Sequence, residues 1–296
     1  MLFRSEVCPA NAIDYTQKEE KLTLNAGSII FSPGFKPFDP TRFDNYQYAN
    51  FPNVITSMEF ERILSATGPT MGHVMTFPKL PLKPKKKKDK LLAEKRKDPK
   101  KIAWFQCVGS RDVNKCDNPY CSSVCCMYAI KEAMIAKEHA GGDLDCSIFF
   151  MDMRTPGKEF EKYYDNASEK HGIRFIRSRV HSVTENPDTH DLDIRYVDEA
   201  GSIIDESYDM IVLSVGLQIT QETRDMAAKL GIDVTPSGFC KTSSFEPVSS
   251  SRDGIYVSGV FNNPKDIPES VLDANAAASA AGDRSEERRV GKECRS

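Results

Sequence analysis

Between Lys101 and Arg154 the chain reads KIAWFQCVG, then YCSSVCCMYAIKEAMIAKEHAGG, then DCSIFFMDMR. The outer segments are short apolar runs rich in aromatic and β-branched residues, the composition of strands buried on both faces. The middle segment carries Val124, Met127, Ile130 and Met134 at helical spacing, which predicts a helix over 121–139. Two such strands joined by a helix must run parallel, and the crossover between them is right-handed in nearly every known sheet. That single constraint selects an α/β architecture.

The pattern continues downstream. KEFEKYYDNASEKHG predicts a helix closed by Gly172, and IRFIRSRVHSVTEN, DLDIRYVDEAG and IIDESYDMIVLSVG predict strands, the middle pair joined as antiparallel hairpins. A βαβ core with a β-meander before its last strand is the shape of a dinucleotide-type domain. Upstream, KLTLNAGSIIFSPGF predicts a strand, a Gly turn and a buried strand over 28–32 ending at Pro33-Gly34. TSMEFERILSATG predicts a helix capped by Thr56 or Ser57, with Met58, Phe60, Ile63 and Leu64 as its apolar stripe. GIYVSGVFNNPKDIPESVLDANAAASAAG predicts a short strand, a turn and an Ala-rich helix. The last fifteen residues, GDRSEERRVGKECRS, show neither periodicity and read as foreign to the fold, so Cys294 is set aside with them.

Composition excludes several function classes. A net charge of −3 gives no push toward nucleic acid or anionic lipid. The basic run KPKKKKDKLLAEKRKDPKK lacks the interleaved aromatics that stack bases, so it reads as a solvated linker. No apolar run approaches the roughly 20 residues of a membrane span, and MLFRSEVCPANAIDY has no signal-peptide core. The default compartment is cytoplasmic, where clustered cysteines mean metal or redox chemistry more often than disulfides.

Five of the nine cysteines, Cys107, Cys116, Cys121, Cys125 and Cys126, fall in the crossover. This is where a dinucleotide-binding domain carries its glycine-rich phosphate turn, but the crossover offers only Gly109. A helix N-terminus that favours phosphate also favours thiolates. Cys121 and Cys125, four apart, share one face of the predicted helix, Cys126 lies about 100° further round, and Cys107 closes the site from the strand end. Cys116, in the turn, is a spare thiol. From the residues alone the options are iron–sulfur ligation, a Cys₄ zinc site, a thiol–disulfide pair, or cysteines that merely pack a helix onto a sheet. The adjacent pair fits neither a zinc knuckle nor a C-x-x-C redox motif.

IAWFQCVGSRD, YCSSVCCMYAIKEA, FFMDMRTPGKEFEKYY and GIYVSGVFNNPKDIPESV, in that order, closely resemble the A-type subunit of heterodisulfide reductase over about Cys8 to Gly282. The related A-type subunit of the quinone-interacting membrane-bound oxidoreductase is similar too. The resemblance implies a thioredoxin-reductase-like two-dinucleotide-binding flavoprotein fold that is incomplete here, because the N-terminal G-x-G-x-x-G half that grips FAD is missing. It implies a [4Fe–4S] cluster on Cys107, Cys121, Cys125 and Cys126. It further implies electron transfer within a complex of iron–sulfur and electron-donor subunits, with no nucleic acid, no direct membrane insertion and no bond-making site on this chain.

Two segments would return to the FAD half. Ser32-Pro33-Gly34 stands where such flavoproteins have an A-T-G turn. In Gly259, Val260, Lys265, Asp266 and Ile267, Asp266 is placed to cap a helix with Glu269 as its box partner, Lys265 adds a positive charge, and the helix N-terminus would face the flavin. Cys8, followed by proline, resembles the last ligand of a ferredoxin-like insert. The expected organisation is therefore 1–14, the end of that insert; 15–75, returning FAD-domain part and connection; 76–100, basic linker; 101–216, the dinucleotide-type domain with the cysteines; 217–282, return to the FAD domain; and 283–296, the foreign tail.

Overall fold

A computed structural model describes residues 10, 12, 14, 16–77 and 97–293. Cys8, Cys294 and residues 78–96 of the basic stretch lie outside the described residues. Five parallel strands form the central sheet in the order β3 (Val54–Thr56), β10 (Met210–Val215), β4 (Lys101–Val108), β5 (Asp145–Phe150) and β6 (Arg174–Arg177). β10, MIVLSV, is buried at all six positions because both faces of the sheet are covered.

On one face lie α1 (Ser57–Leu64), α2 (Cys125–His139) and α3 (Phe160–Glu169). Phe60, Ile63, Ala129, Ile130, Ala133 and Ala167 pack there against Ile102, Trp104 and Ile148. The alanines of α2 let the helix approach the sheet closely, while the Phe60 ring meets Trp104 edge-on at 5.5 Å. α1 begins with the expected cap: Thr56 Oγ1 accepts from the Glu59 N–H at 3.3 Å, and the Glu59 carboxylate accepts from the Thr56 N–H at 2.7 Å. The other face carries the antiparallel meander β7 (Val183–Glu185), β8 (Leu192–Val197) and β9 (Ile203–Tyr208). Its Val183, Leu192, Ile194 and Tyr196 close a core with Phe105, Phe149 and Leu213.

A second, smaller core holds Leu217, Ile232, Phe239, Ile255, Val257 and Phe261. β1 (Ile29–Phe31) pairs in parallel with β12 (Ile255–Val257), and β2 (Lys36–Pro37) pairs antiparallel with β11 (Leu217–Gln218). α4 (Gln221–Leu230) follows β11, and α5 (Ile267–Glu293) packs against β1 and β12.

Four expectations are corrected. Lys21–Asn25 forms no strand: Leu22 and Leu24 are exposed and nothing pairs with the segment, so its alternation has no face to bury. The crossover helix starts at Cys125, not Cys121, because Ser123 is left-handed (φ 64) and the Ser122 hydroxyl is committed elsewhere. Residues 283–293 continue α5 as helix, as their Glu and Arg content permits once the Ala-rich turns before them nucleate it. The sheet that carries the thiols also draws on residues 54–64, upstream of the basic stretch, because β3 pairs with β10.

Candidate metal centre

The cysteines stand where β4 gives way to α2, at the C-terminal edge of the parallel sheet, the usual ligand position of such folds. The connecting loop is contorted. Cys107 (φ 62), Arg111 (φ 56), Asp117 (φ 55) and Ser123 (φ 64) are all left-handed, a conformation that costs an L-residue about 1–2 kcal/mol. Strain of this kind persists only where surrounding contacts over-determine it, and it gathers at functional sites. Here the contacts are explicit. Asp112 and Asn118 exchange backbone hydrogen bonds at 3.0 and 3.1 Å. Asn118 Nδ2 donates to the Gly109 carbonyl at 2.9 Å, and the Leu217 N–H donates to Ser122 Oγ at 2.9 Å. Arg179 pairs with Asp112 at 2.6 Å. Gly109 itself (φ 77) lies against Phe38, where a Cβ would come within 2.1 Å of the ring.

Burial opposes ionisation of Cys107, Cys125 and Cys126, and electrostatic coupling to other thiols among Cys107, Cys121, Cys125 and Cys126 opposes it further. Cys126 is pushed up to about 11. Cys116 stands apart. It is buried in the meander-side core, and its thiol donates to the Asp112 carbonyl at 3.1 Å. Cys146 and Cys240 are likewise buried in the fold, and all seven described cysteines are free.

Donors converge on the four thiols. The Ser123 N–H points at Cys121 Sγ and the Arg154 N–H at Cys126 Sγ, both at 3.4 Å. Tyr128, whose hydroxyl donates to the Val215 carbonyl at 2.8 Å, and Arg111 each favour the ionised form of a neighbouring thiol, Cys125 and Cys107 respectively. None of these four was legible as a site residue. Arg154 in particular reads in the sequence as a surface or interface arginine, and two of the donors are backbone N–H groups, which carry no side-chain signature.

The residues fit an inorganic group that neutralises thiolates. The amide of Gln106, one residue before Cys107, and Nη1 of Arg111 are buried with no hydrogen-bond partner among the described residues, a rare condition that points to a missing polar group. Metal coordination deprotonates a thiol outright, whatever burial does to it when free. Among the described residues, no group of three or more His, Cys, Asp or Glu side chains is placed to hold a metal ion.

Beside the thiols opens a cavity of about 750 Å³. Ser123, Val124, Met127 and Tyr128 line it from the cysteine side. Of the eight residues expected at a flavin, Val260, Lys265, Asp266 and Ile267 line it; Ser32, Pro33, Gly34 and Gly259 do not, although Phe35, next to Gly34, does. Ser32 and Ser258 hydroxyls meet at 2.7 Å and lock β1 to β12 behind it. The capping box at α5 forms as expected: the Glu269 N–H donates to Asp266 Oδ1 at 2.9 Å, and the Asp266 N–H donates to Glu269 Oε2 at 3.1 Å. Lys265 differs from expectation. It is buried and ion-paired with Asp273, so the charge it brings to the cavity is largely offset.

No protein-family model matches the chain. Over 274 residues, 92% of its length, it is 39% identical to the A-type subunit of the H(2)/formate:CoB-CoM heterodisulfide,ferredoxin reductase of Methanococcus maripaludis, of which it covers 39%. Over 278 residues, 93% of its length, it is 38% identical to the A-type iron-sulfur subunit of the CoB--CoM heterodisulfide reductase of Methanocaldococcus jannaschii, of which it covers 40%. The chain thus spans about two fifths of the length of the curated relatives it matches. Thioredoxin reductases from Lactococcus lactis and T. acidophilum superpose with TM-scores of 0.52 each at 15% and 14% identity, over 88% of this chain and 66% of theirs. That likeness speaks for the fold alone, an α/β fold of thioredoxin-reductase type. No helix among the described residues is long and apolar enough to cross a membrane. On the identity and coverage of these relatives, the chain belongs to the heterodisulfide reductase A-subunit family and corresponds to about two fifths of such a protein.

Proposed function

We propose that the chain is part of an electron-transferring oxidoreductase subunit in which Cys107, Cys121, Cys125 and Cys126 hold a [4Fe–4S] cluster beside a flavin. The observation that carries this reading is the shared wall: the cavity lined by Val260, Lys265, Asp266 and Ile267 is also lined by Ser123 and Val124, between Cys121 and Cys125. A flavin seated there would lie a few residues from the ligand loop. When bound, the two groups would supply one-electron relay chemistry. The chain's own residues hold the sulfurs in a strained loop, aim N–H donors at them and cap the helix that faces the cavity. Electrons would arrive from electron-donor subunits and pass onward to iron–sulfur subunits of a heterodisulfide-reductase-like complex, where the disulfide bond is reduced.

Thiol–disulfide exchange is the weaker reading, because it needs an accessible thiol of lowered pKa, and burial pushes Cys107, Cys125 and Cys126 the other way. Anaerobic reconstitution with iron and sulfide, followed by metal and sulfide analysis, tests the proposal. The expected result is a broad visible absorbance with iron and sulfide in equal amounts. Cys121→Ala should abolish retention, whereas Cys116→Ala, whose thiol serves the core, should largely spare it. Zinc without visible absorbance, or the reverse order of the two variants, would overturn the assignment.

A further inference from the structure

Arg111 reaches from the thiol-bearing loop to Asp152, beyond the end of β5. Its backbone N–H is fixed to the Tyr120 carbonyl at 3.0 Å, and its backbone is left-handed, with φ 56. Nη2 donates to Asp152 Oδ2 at 2.6 Å. Asp152 belongs to the segment that flanks Cys126 on the far side, where the Arg154 N–H meets the Cys126 sulfur. The guanidinium also neighbours the Cys107 thiol. Nη1, however, is buried and has no hydrogen-bond partner among the described residues. A guanidinium does not lose its proton, so an unsatisfied N–H in this place is a standing cost unless an acceptor arrives with the bound group.

We propose that Arg111 is a potential-setting residue: through Nη1 it donates to sulfur on the Cys107 side of the cluster, and its charge favours the more negative, reduced form. This rests on the cluster reading above. Adding one electron makes the core more negative, and a cation in contact lowers the free energy of that state more than that of the oxidised one. Asp152 works against it. By pairing with Nη2 it offsets part of the charge, so the two residues should move the potential in opposite directions. A merely structural pair would not: removing either end would loosen the loop alike.

The test is a redox titration of the anaerobically reconstituted chain, read by visible absorbance and EPR, with iron content measured in each sample. Wild type is compared with Arg111→Gln, Arg111→Lys and Asp152→Asn. At a fixed ambient potential, R111Q should lower the reduced-to-oxidised ratio about tenfold, about 59 mV for a one-electron couple. D152N should raise the ratio severalfold, and R111K, which keeps charge but loses the fork, should fall between wild type and R111Q. A loaded R111Q with the wild-type ratio, or R111Q and D152N shifting in the same direction, would overturn the inference. Should R111Q fail to retain iron, R111K and D152N decide: displacement to opposite sides of wild type supports it, and both at wild type refutes it. A wild-type chain that takes up no iron and sulfide refutes the cluster reading itself, and this inference with it.

Discussion

Substituting Glu132 by Gln should remove the share of the pH dependence of stability that this one carboxyl contributes. Glu132 lies on α2 at 2% exposure and accepts the indole N–H of Trp104 at 2.9 Å. Burial drives its carboxyl well above the usual 4.5. Trp104 works against that rise, while Glu61 adds to it and Lys131 pulls it back. The folded chain therefore keeps a proton that the unfolded chain releases near 4.5. With more protons bound in the folded state, stability falls as pH rises, by up to about 1.4 kcal/mol per unit. The loss begins at the unfolded value and ends at the folded one; below both, the contribution is fully present. Glu132→Gln keeps the shape and an acceptor for the indole but cannot titrate. Its extra amide hydrogens add only a pH-independent offset. Across two units inside the window, E132Q should gain about 2.7 kcal/mol on wild type. Trp104 is the only tryptophan, so urea unfolding followed by its fluorescence, repeated from pH 4 to 8, reads the difference directly. Parallel curves for the two proteins would mean that Glu132 is ionised in the fold and that its burial is relieved by something other than protonation.

Gly109→Ala should cost roughly 2–4 kcal/mol, measured as a lowered urea midpoint, since it combines a left-handed φ with overpacking against Phe38. Thr56→Ala removes one half of the α1 capping box and should cost about 1 kcal/mol with an unchanged urea m-value. For Glu206, burial would raise the carboxyl, but hydrogen bonds from Arg174, Lys101 and Tyr208 outweigh it and hold it at about 2. Because the folded value is depressed, this contribution is present above about 4.5 and lost as pH falls toward 2. Glu206→Gln should flatten the acid limb of thermal stability and, after solvent screening, cost about 1–2 kcal/mol at neutral pH.

Much of the architecture was legible because hydrophobic periodicity is a local property. The run Ile102–Phe105 had only one way to bury, so strand and parallel pairing followed; on α2 the helix was legible but its buried face is Ala129, Ile130, Ala133 and Ala136, and of the expected stripe only Ile130 is fully buried. The cap at Thr56 or Ser57 and the capping box at Asp266 were legible for the same reason: their partners lie three residues away. Where partners are distant, local reading failed. Lys21–Asn25 alternates like a strand but has no neighbour, and the helix start at Cys125 depends on a serine hydroxyl serving Leu217, almost a hundred residues on.

The sequence by itself determined that a thiol-rich crossover replaces a glycine-rich one, because cysteine identity and spacing are written in the chain. The sequence already set Cys116 aside as a turn thiol; the tertiary structure supplies the physical reason, its burial in the meander-side core. Likewise, only folding brought the Arg154 N–H to the Cys126 sulfur and set Ser123 and Val124 of the thiol loop into the wall of the cavity. Those relations are made by β5 and β10 lying beside β4, and pairing between strands so far apart in sequence is decided by how the whole sheet buries its faces.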